Sequence, residues 1–134
     1  MRAMRGFTLH ELMVVLVILS VLGLVAYPRY ETHLVKSRRV GAIACLLESR
    51  LLVEAGFAQS PVPEDVALAP CARSLAPHYR IHLEKEEGWK YRIIADAQGR
   101  QMLQDPHCRR LVIDQAGRHE GASGNAPSEP CWPR

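Results

Sequence analysis

Hydrophobic and polar positions divide the chain into three regimes. From Leu12 to Ala26 the side chains are apolar in every direction, broken only by Ser20 and Gly23. A helix with no polar face belongs in a membrane or in the core of a large assembly. The run is 15 residues, short of the roughly 20 that span a bilayer. Adding Phe7–Leu9 and Tyr27 makes a spanning length, with His10 and Glu11 as the interruption. From Val40 the pattern becomes amphipathic. Val40, Ile43, Ala44, Leu47, Leu51, Ala55 and Ala58 recur mostly at intervals of three or four, which predicts one helical stripe with Arg38 and Ser49 opposite it. One helix is therefore expected from about Thr8 to about Ala58, more flexible at Gly23 and bent at Pro28, whose ring removes a backbone bond. Ser60-Pro61-Val62-Pro63 ends it. The following stretch to Pro77 reads as a loop.

The third regime alternates with period two. Tyr79, Ile81 and Leu83 form one face of a strand, Tyr91, Ile93 and Ala95 of a second, and Leu111 and Ile113 of a third. Turn residues at Glu87-Gly88, Ala97–Arg100 and Gln115–Arg118 separate them. Short connections make neighbouring strands antiparallel, and the apolar face of such a sheet needs the Val40–Ala58 stripe as its cover. The expected fold class is α+β: a long N-terminal helix packed on a small antiparallel sheet of three to four strands.

Composition narrows the function classes. At 134 residues the chain holds one domain. Its net charge of +3 is mild. The basic residues Arg80, Lys85, Lys90, Arg92, Arg109 and Arg110 could form a patch on the sheet, but Glu84, Glu86 and Glu87 are interspersed. A solvated mixed face is the simpler reading, and nucleic acid is not favoured as a partner. His78 and His82 share a strand face about 13 Å apart, too far for one metal. There is no phosphate-binding glycine loop, nucleophile elbow or catalytic carboxylate pair. Neither enzyme activity, cofactor nor metal is expected.

A signal peptide and a plain anchor are the ordinary explanations of the first segment. Val25-Ala26-Tyr27-Pro28 is a poor cleavage site, and a plain anchor leaves Glu11 unexplained, since a charge in lipid is expensive and functional by default. The residues resemble the N-terminus of type IV pilins and pseudopilins: a short basic leader ending in Gly6, then Phe7-Thr8-Leu9-His10-Glu11, an apolar helix, and Pro28 followed by Tyr30. His10 departs from the family, which normally carries an apolar residue there. The resemblance implies that a prepilin peptidase cuts after Gly6 and methylates the new amine of Phe7. It implies that Glu11 pairs with that amine on a neighbouring subunit. Phe7 and Glu11 stand at i and i+4, on one helix face. Residues 1–6 would be the leader, 7–28 the transmembrane and assembly helix, and 29–134 the head.

The implied partners are other pilin subunits, major and minor, an inner-membrane assembly platform and the peptidase. The implied location is the bacterial inner membrane, head in the periplasm, and after assembly the extracellular pilus. Arg29, Lys36, Arg38 and Arg39 follow the span and would by the positive-inside rule place the head in the cytoplasm. The cysteines and the resemblance argue for the periplasm.

Four cysteines, Cys45, Cys71, Cys108 and Cys131, lack C-x-x-C spacing and suit an oxidising compartment. Cys45 falls on the flank of the helical stripe, where the following loop would cross, which favours Cys45–Cys71 over a buried free Cys45. Cys108–Cys131 would close the stretch Gly121–Pro130, resembling the family's C-terminal disulfide loop. The run Cys108–Gly117 followed by Cys131-Trp132 is similar to minor pilins of the PilE type. The resemblance implies a minor pilin supporting pilus biogenesis, twitching motility and adhesion. A type II secretion pseudopilin, a major pilin, a DNA-binding competence pilin and a plain anchored periplasmic binding protein stay open.

Overall fold

The structure, a computed structural model, describes residues 7–59, 66–121 and 131–132. Gly6 with the rest of the leader, Ser60–Pro63 and most of Gly121–Pro130 therefore lie outside the described residues. In chain order the elements are α1 (Leu9–Gln59), α2 (Cys71–Leu75), β1 (Tyr79–Lys85), β2 (Tyr91–Ala97), α3 (Gly99–Gln104), β3 (Arg110–Asp114) and β4 (His119–Gly121). The chain divides into two compact units at Leu34 and Val35, and each is described by itself.

In the first unit α1 continues through Gly23 and Pro28. Its side chains from Phe7 to Tyr27 are all exposed, and it is long and apolar enough to cross a membrane. Two of its hydroxyls are satisfied by the helix itself. Ser20 donates its hydroxyl to the Leu16 carbonyl at 2.8 Å and Thr32 to that of Pro28 at 3.1 Å. Returning a hydroxyl to the backbone four residues earlier leaves no donor for lipid to strand.

The second unit is a four-stranded antiparallel sheet in the order β1-β2-β3-β4, covered on one face by the later part of α1. Register sets up two apolar rows across the inner face. Leu83, Ile93 and Ile113 stand in line, as do Ile81, Ala95 and Leu111. The helix face that meets them is Ala42, Leu46, Ser49 and Val53, joined by Val35 and Ile43. Phe57 stacks on Tyr91 at 5.6 Å between ring centroids.

This corrects the expected stripe. Of its members only Ile43 is buried; Val40, Leu47 and Leu51 are 55%, 46% and 67% exposed, and Ser49, expected outside, is fully buried. Apolar residues surround this stretch of helix, so their spacing did not select a face. The face that won includes two polar residues with partners. Ser49 Oγ accepts from the Ala69 amide at 3.2 Å, and Arg39 is paired inside the head with Asp105. A buried polar group that is hydrogen-bonded carries little penalty.

Two stretches read as loops contain short helices, α2 and α3. The second strand starts at Tyr91, which leaves Trp89 exposed in the turn before it. The fourth strand pairs through a tight turn in which Gly117 has φ +76, a conformation glycine adopts without strain. There Asp114 Oδ1 accepts from the amides of Ala116 and Arg118 at 2.9 and 2.8 Å.

Candidate functional site

The N-terminal end of α1 is built by three short contacts. Glu11 Oε2 accepts from the Thr8 amide and from the Thr8 hydroxyl, both at 3.1 Å, and Thr8 Oγ1 accepts from the Glu11 amide at 3.3 Å. Thr8 immediately precedes the first helical residue, so this is a reciprocal capping box. It satisfies donors that the first turn cannot use internally, and it puts a carboxylate where the helix dipole favours one. The sequence carried this signal as Thr8-Leu9-His10-Glu11, an S/T-x-x-E pattern, which the reading of Glu11 as an assembly charge passed over. Phe7, directly before the cap, is 87% exposed. Gly23 and Pro28 both lie within α1. Pro28 lacks the amide that would bond the Leu24 carbonyl.

Within the head, Cys45 is joined to Cys71, with Cα atoms 5.8 Å apart, and Cys108 to Cys131, at 5.5 Å. The first bridge ties α2 to the helix, and the second ties the C-terminal end of the chain to the start of β3. Gly121, at the end of β4, lies so close to this bridge that a Cβ there would stand 2.8 Å from Cys131 Cβ. Trp132 then donates from Nε1 to the Glu120 carbonyl at 3.1 Å and packs on His119 at 4.7 Å between centroids.

A buried polar network crosses from α1 to α3. Arg39 Nε stands 3.2 Å from Asp105 Oδ2 and Arg39 Nη1 donates to Cys108 Sγ at 2.8 Å. Gln101, fully buried, donates from Nε2 to the Val35 carbonyl and to Tyr79 Oη, both at 3.1 Å. Burial pushes the Tyr79 phenol up to about 12, because the anion would lose its hydration in this setting. His78 lies at the same end, and burial followed by the Arg38 charge lowers its pKa.

The outer face of the sheet is a mesh of opposite charges. Arg110 Nε stands 2.7 Å from Asp96, and Arg92 Nε 2.8 Å from Glu86. Register places Glu84, Arg92 and Asp114 in one row and Arg80, Asp96 and Arg110 in another. Among the six basic residues considered from sequence, Arg80, Arg92 and Arg110 thus alternate with carboxylates. A groove of about 270 Å³ on this face is lined by Lys90, Arg92 and Arg118 together with Glu86, Asp114 and Glu120. Among the described residues no group of three or more His, Cys, Asp or Glu is arranged to hold a metal ion.

Comparison with known proteins follows the same division. Residues 1–27 match the prokaryotic N-terminal methylation motif, and residues 28–112 match the family described as type IV minor pilin ComP, DNA uptake sequence receptor. Fimbrial protein Q of Moraxella bovis is 33% identical over 64 residues, covering 48% of this chain and 41% of that protein. A fimbrial protein of Pseudomonas aeruginosa is 32% identical over 71 residues, covering 48% of this chain and 46% of its own. The match thus spans less than half the length of either relative. A solved type IV pilin from Shewanella oneidensis superimposes with TM-score 0.56 at 22% identity, covering 75% of this chain and 99% of that one. The non-core minor pilin PilV of Neisseria meningitidis does so with TM-score 0.51 at 13% identity, covering 71% and 94%. At these identities the two structures speak for the fold alone.

Proposed function

The chain belongs to the type IV pilin family, and from that premise we propose that it serves as a minor pilin, a structural subunit rather than an enzyme. It is held in the inner membrane by the apolar part of α1 with its head in the periplasm. A prepilin peptidase removes residues 1–6 between Gly6 and Phe7 and methylates the Phe7 amine. The assembly platform then passes the subunit to the fibre, where it supports pilus biogenesis, twitching motility and adhesion.

One observation carries this reading: a single carboxylate, Glu11, stands in the first turn of a helix whose apolar side chains from Leu9 to Tyr27 are all exposed. Cleavage would create an ammonium on Phe7, four positions before Glu11. In a low-dielectric surrounding an ammonium attracts a carboxylate far more strongly than in water, so the charge draws subunits together while the apolar surface leaves lipid for protein. The exposed side chains of Val40, Leu47 and Leu51 extend the apolar surface available to neighbouring helices into the head. The closing bridge Cys108–Cys131 favours a pilin over a secretion pseudopilin.

The test is an intact mass with N-terminal mapping of the protein purified from membranes and from sheared pili. A chain beginning at methylated Phe7, present in fibres as a small fraction, supports the proposal. A chain that keeps Met1–Gly6 in both fractions refutes it.

The description of the matched family favours a second reading, in which the head also binds DNA during uptake. A mobility shift with duplex DNA that weakens steeply with salt supports it; retention indifferent to salt does not.

A further inference from the structure

We propose that the α3 end of the head is a membrane-contact surface that sets Met102 and Leu103 among anionic lipid headgroups while the subunit resides in the bilayer. The proposal rests on the anchored-pilin reading above. α3 is pinned inward by Gln101, which is fully buried and bonded to the Val35 carbonyl and Tyr79 Oη. Pinning that residue leaves its two successors outward, Met102 at 40% and Leu103 at 70% exposure.

Basic residues belong to the same end of the head, where Gln101 bonds the Val35 carbonyl. Lys36 is exposed and Arg38 half-buried next to His78. Gln98, just before α3, donates its amide to the His78 carbonyl at 2.8 Å. With its carboxamide oriented to suit, it also accepts from Arg80 Nε at 2.8 Å. The Arg109 carbonyl accepts from the Ala97 amide at 2.7 Å, which brings that exposed side chain to the same end. The acids here are already engaged, Asp96 by Arg110 and Asp105 by Arg39. The opposite end of the sheet is balanced instead, with Glu84, Glu86 and Glu87 beside Lys85, Lys90 and Arg92.

Apolar tips beside Lys36, Arg38 and Arg109, which form no ion pair among the described residues, match an anionic lipid surface. The hydrocarbon enters the headgroup layer and the cations meet phosphates. The attraction decays within a Debye length, so only charges at this end of the head contribute. The chain ties this end to the span, since Lys36 comes nine positions after Tyr27. This also gives the basic residues after the span a partner in the outer leaflet of the inner membrane, despite the positive-inside count.

The test uses the full chain with Leu103→Trp, reconstituted into vesicles of phosphatidylcholine alone or mixed with phosphatidylglycerol, with bromine on the lipid acyl chains as quencher. Wild-type protein, with Trp89 and Trp132, supplies the background. The expected result is extra quenching in the anionic vesicles only. Salt reduces it, and joint substitution of Lys36, Arg38 and Arg109 by Gln abolishes it while the protein still floats with the vesicles. No extra quenching, or equal quenching in both lipids, overturns the proposal. So does an emission shift of the introduced tryptophan that follows protein density, which means a second copy covers the surface, or one that follows added duplex DNA. A chain that does not float with vesicles at all refutes the anchored reading, and this proposal with it.

Discussion

Glu11 and Thr8 hold each other: the carboxylate accepts twice from Thr8 at 3.1 Å, and the Thr8 hydroxyl accepts once from the Glu11 amide at 3.3 Å. The residue proposed to draw subunits together is therefore already engaged in the capping box of its own helix. The two roles suit different stages. In the uncleaved chain the cap secures the first turn. After cleavage an ammonium becomes available, and a charge-assisted bond to it is stronger than the neutral donors of Thr8.

Substitution separates the roles. Thr8→Val removes the hydroxyl at nearly constant shape and is expected to cost about 1 kcal/mol of helix stability in the first turn. Faster hydrogen exchange of the first amides would report that loss, while leader removal and pilus incorporation continue. Glu11→Gln keeps an acceptor for Thr8 but has no charge. Incorporation into pili, measured by immunoblot of sheared fibres, is expected to fall sharply with processing intact. Equal incorporation of Glu11→Gln and wild type would assign Glu11 to capping alone.

The face of α1 that covers the sheet gives a second prediction. Leu46 is fully buried and Leu51 is 67% exposed. Leu46→Ala is expected to destabilise the head by about 2–5 kcal/mol through lost contacts and a cavity. Leu51→Ala is expected to stay within about 0.5 kcal/mol. Urea unfolding of the full chain in detergent, followed by near-ultraviolet circular dichroism, compares them. The reverse ranking would restore the stripe through Val40, Leu47 and Leu51 as the core face.

That exchange of faces marks the limit of what the residues disclosed. The apolar run, the alternation of Tyr79-Ile81-Leu83 and Leu111-Ile113, and the turn glycines are local signals, and the elements formed where those signals lie. The buried face of α1 depended on partners far along the chain. Ser49 became a core residue only because the Ala69 amide reaches it, and Arg39 only because α3 delivers Asp105. α3 itself hangs on Gln101, a polar residue in a stretch full of turn formers, whose bonds to Val35 and Tyr79 no local pattern encodes. At the candidate site the motif from Gly6 to Glu11 was legible as a whole. The capping box inside it was legible too, but a sharper explanation of Glu11 stood in front of it.

Alkaline pH provides a third prediction. Burial raises the Tyr79 pKa from an ordinary 10.0 to about 12, and burial with the nearby Glu54 raises that of Tyr91. A group whose folded pKa is raised stabilises the fold fully below its unfolded value. The stability is lost as pH climbs through the folded one, because the unfolded chain releases its proton first. For Tyr79 the window is pH 10 to 12, and the loss is on the order of 2–3 kcal/mol. Unfolding free energy should decline across that window in wild type and decline less in Tyr79→Phe. Tyrosinate absorbance should show one fewer late-titrating group in the variant. An unchanged slope in Tyr79→Phe would place the alkaline transition elsewhere.

The last prediction joins Gly121 to the bridge it touches. Cys108 and Cys131 are separated by 23 residues, and closing a loop of that size contributes about 3 kcal/mol on the chain-entropy model. Replacing both by Ala should lower the stability of the head by about that amount, read from urea unfolding extrapolated to water with the slope fitted for each variant, since opening the cross-link expands the unfolded chain. Gly121→Ala should be destabilising by about 1–3 kcal/mol, because its Cβ would stand 2.8 Å from Cys131 Cβ and 3.2 Å from the Trp132 ring. In a roomy strand the same change would be neutral or mildly favourable. The two effects should not add. Once the bridge is gone Cys131 and Trp132 can yield, so Gly121→Ala in the double-Ala background should cost much less than in wild type. A coupling of that sign, measured by the double-mutant cycle, would establish that glycine is required at 121 by the disulfide. Full additivity would mean that whatever a side chain costs at position 121, the bridge is not its cause.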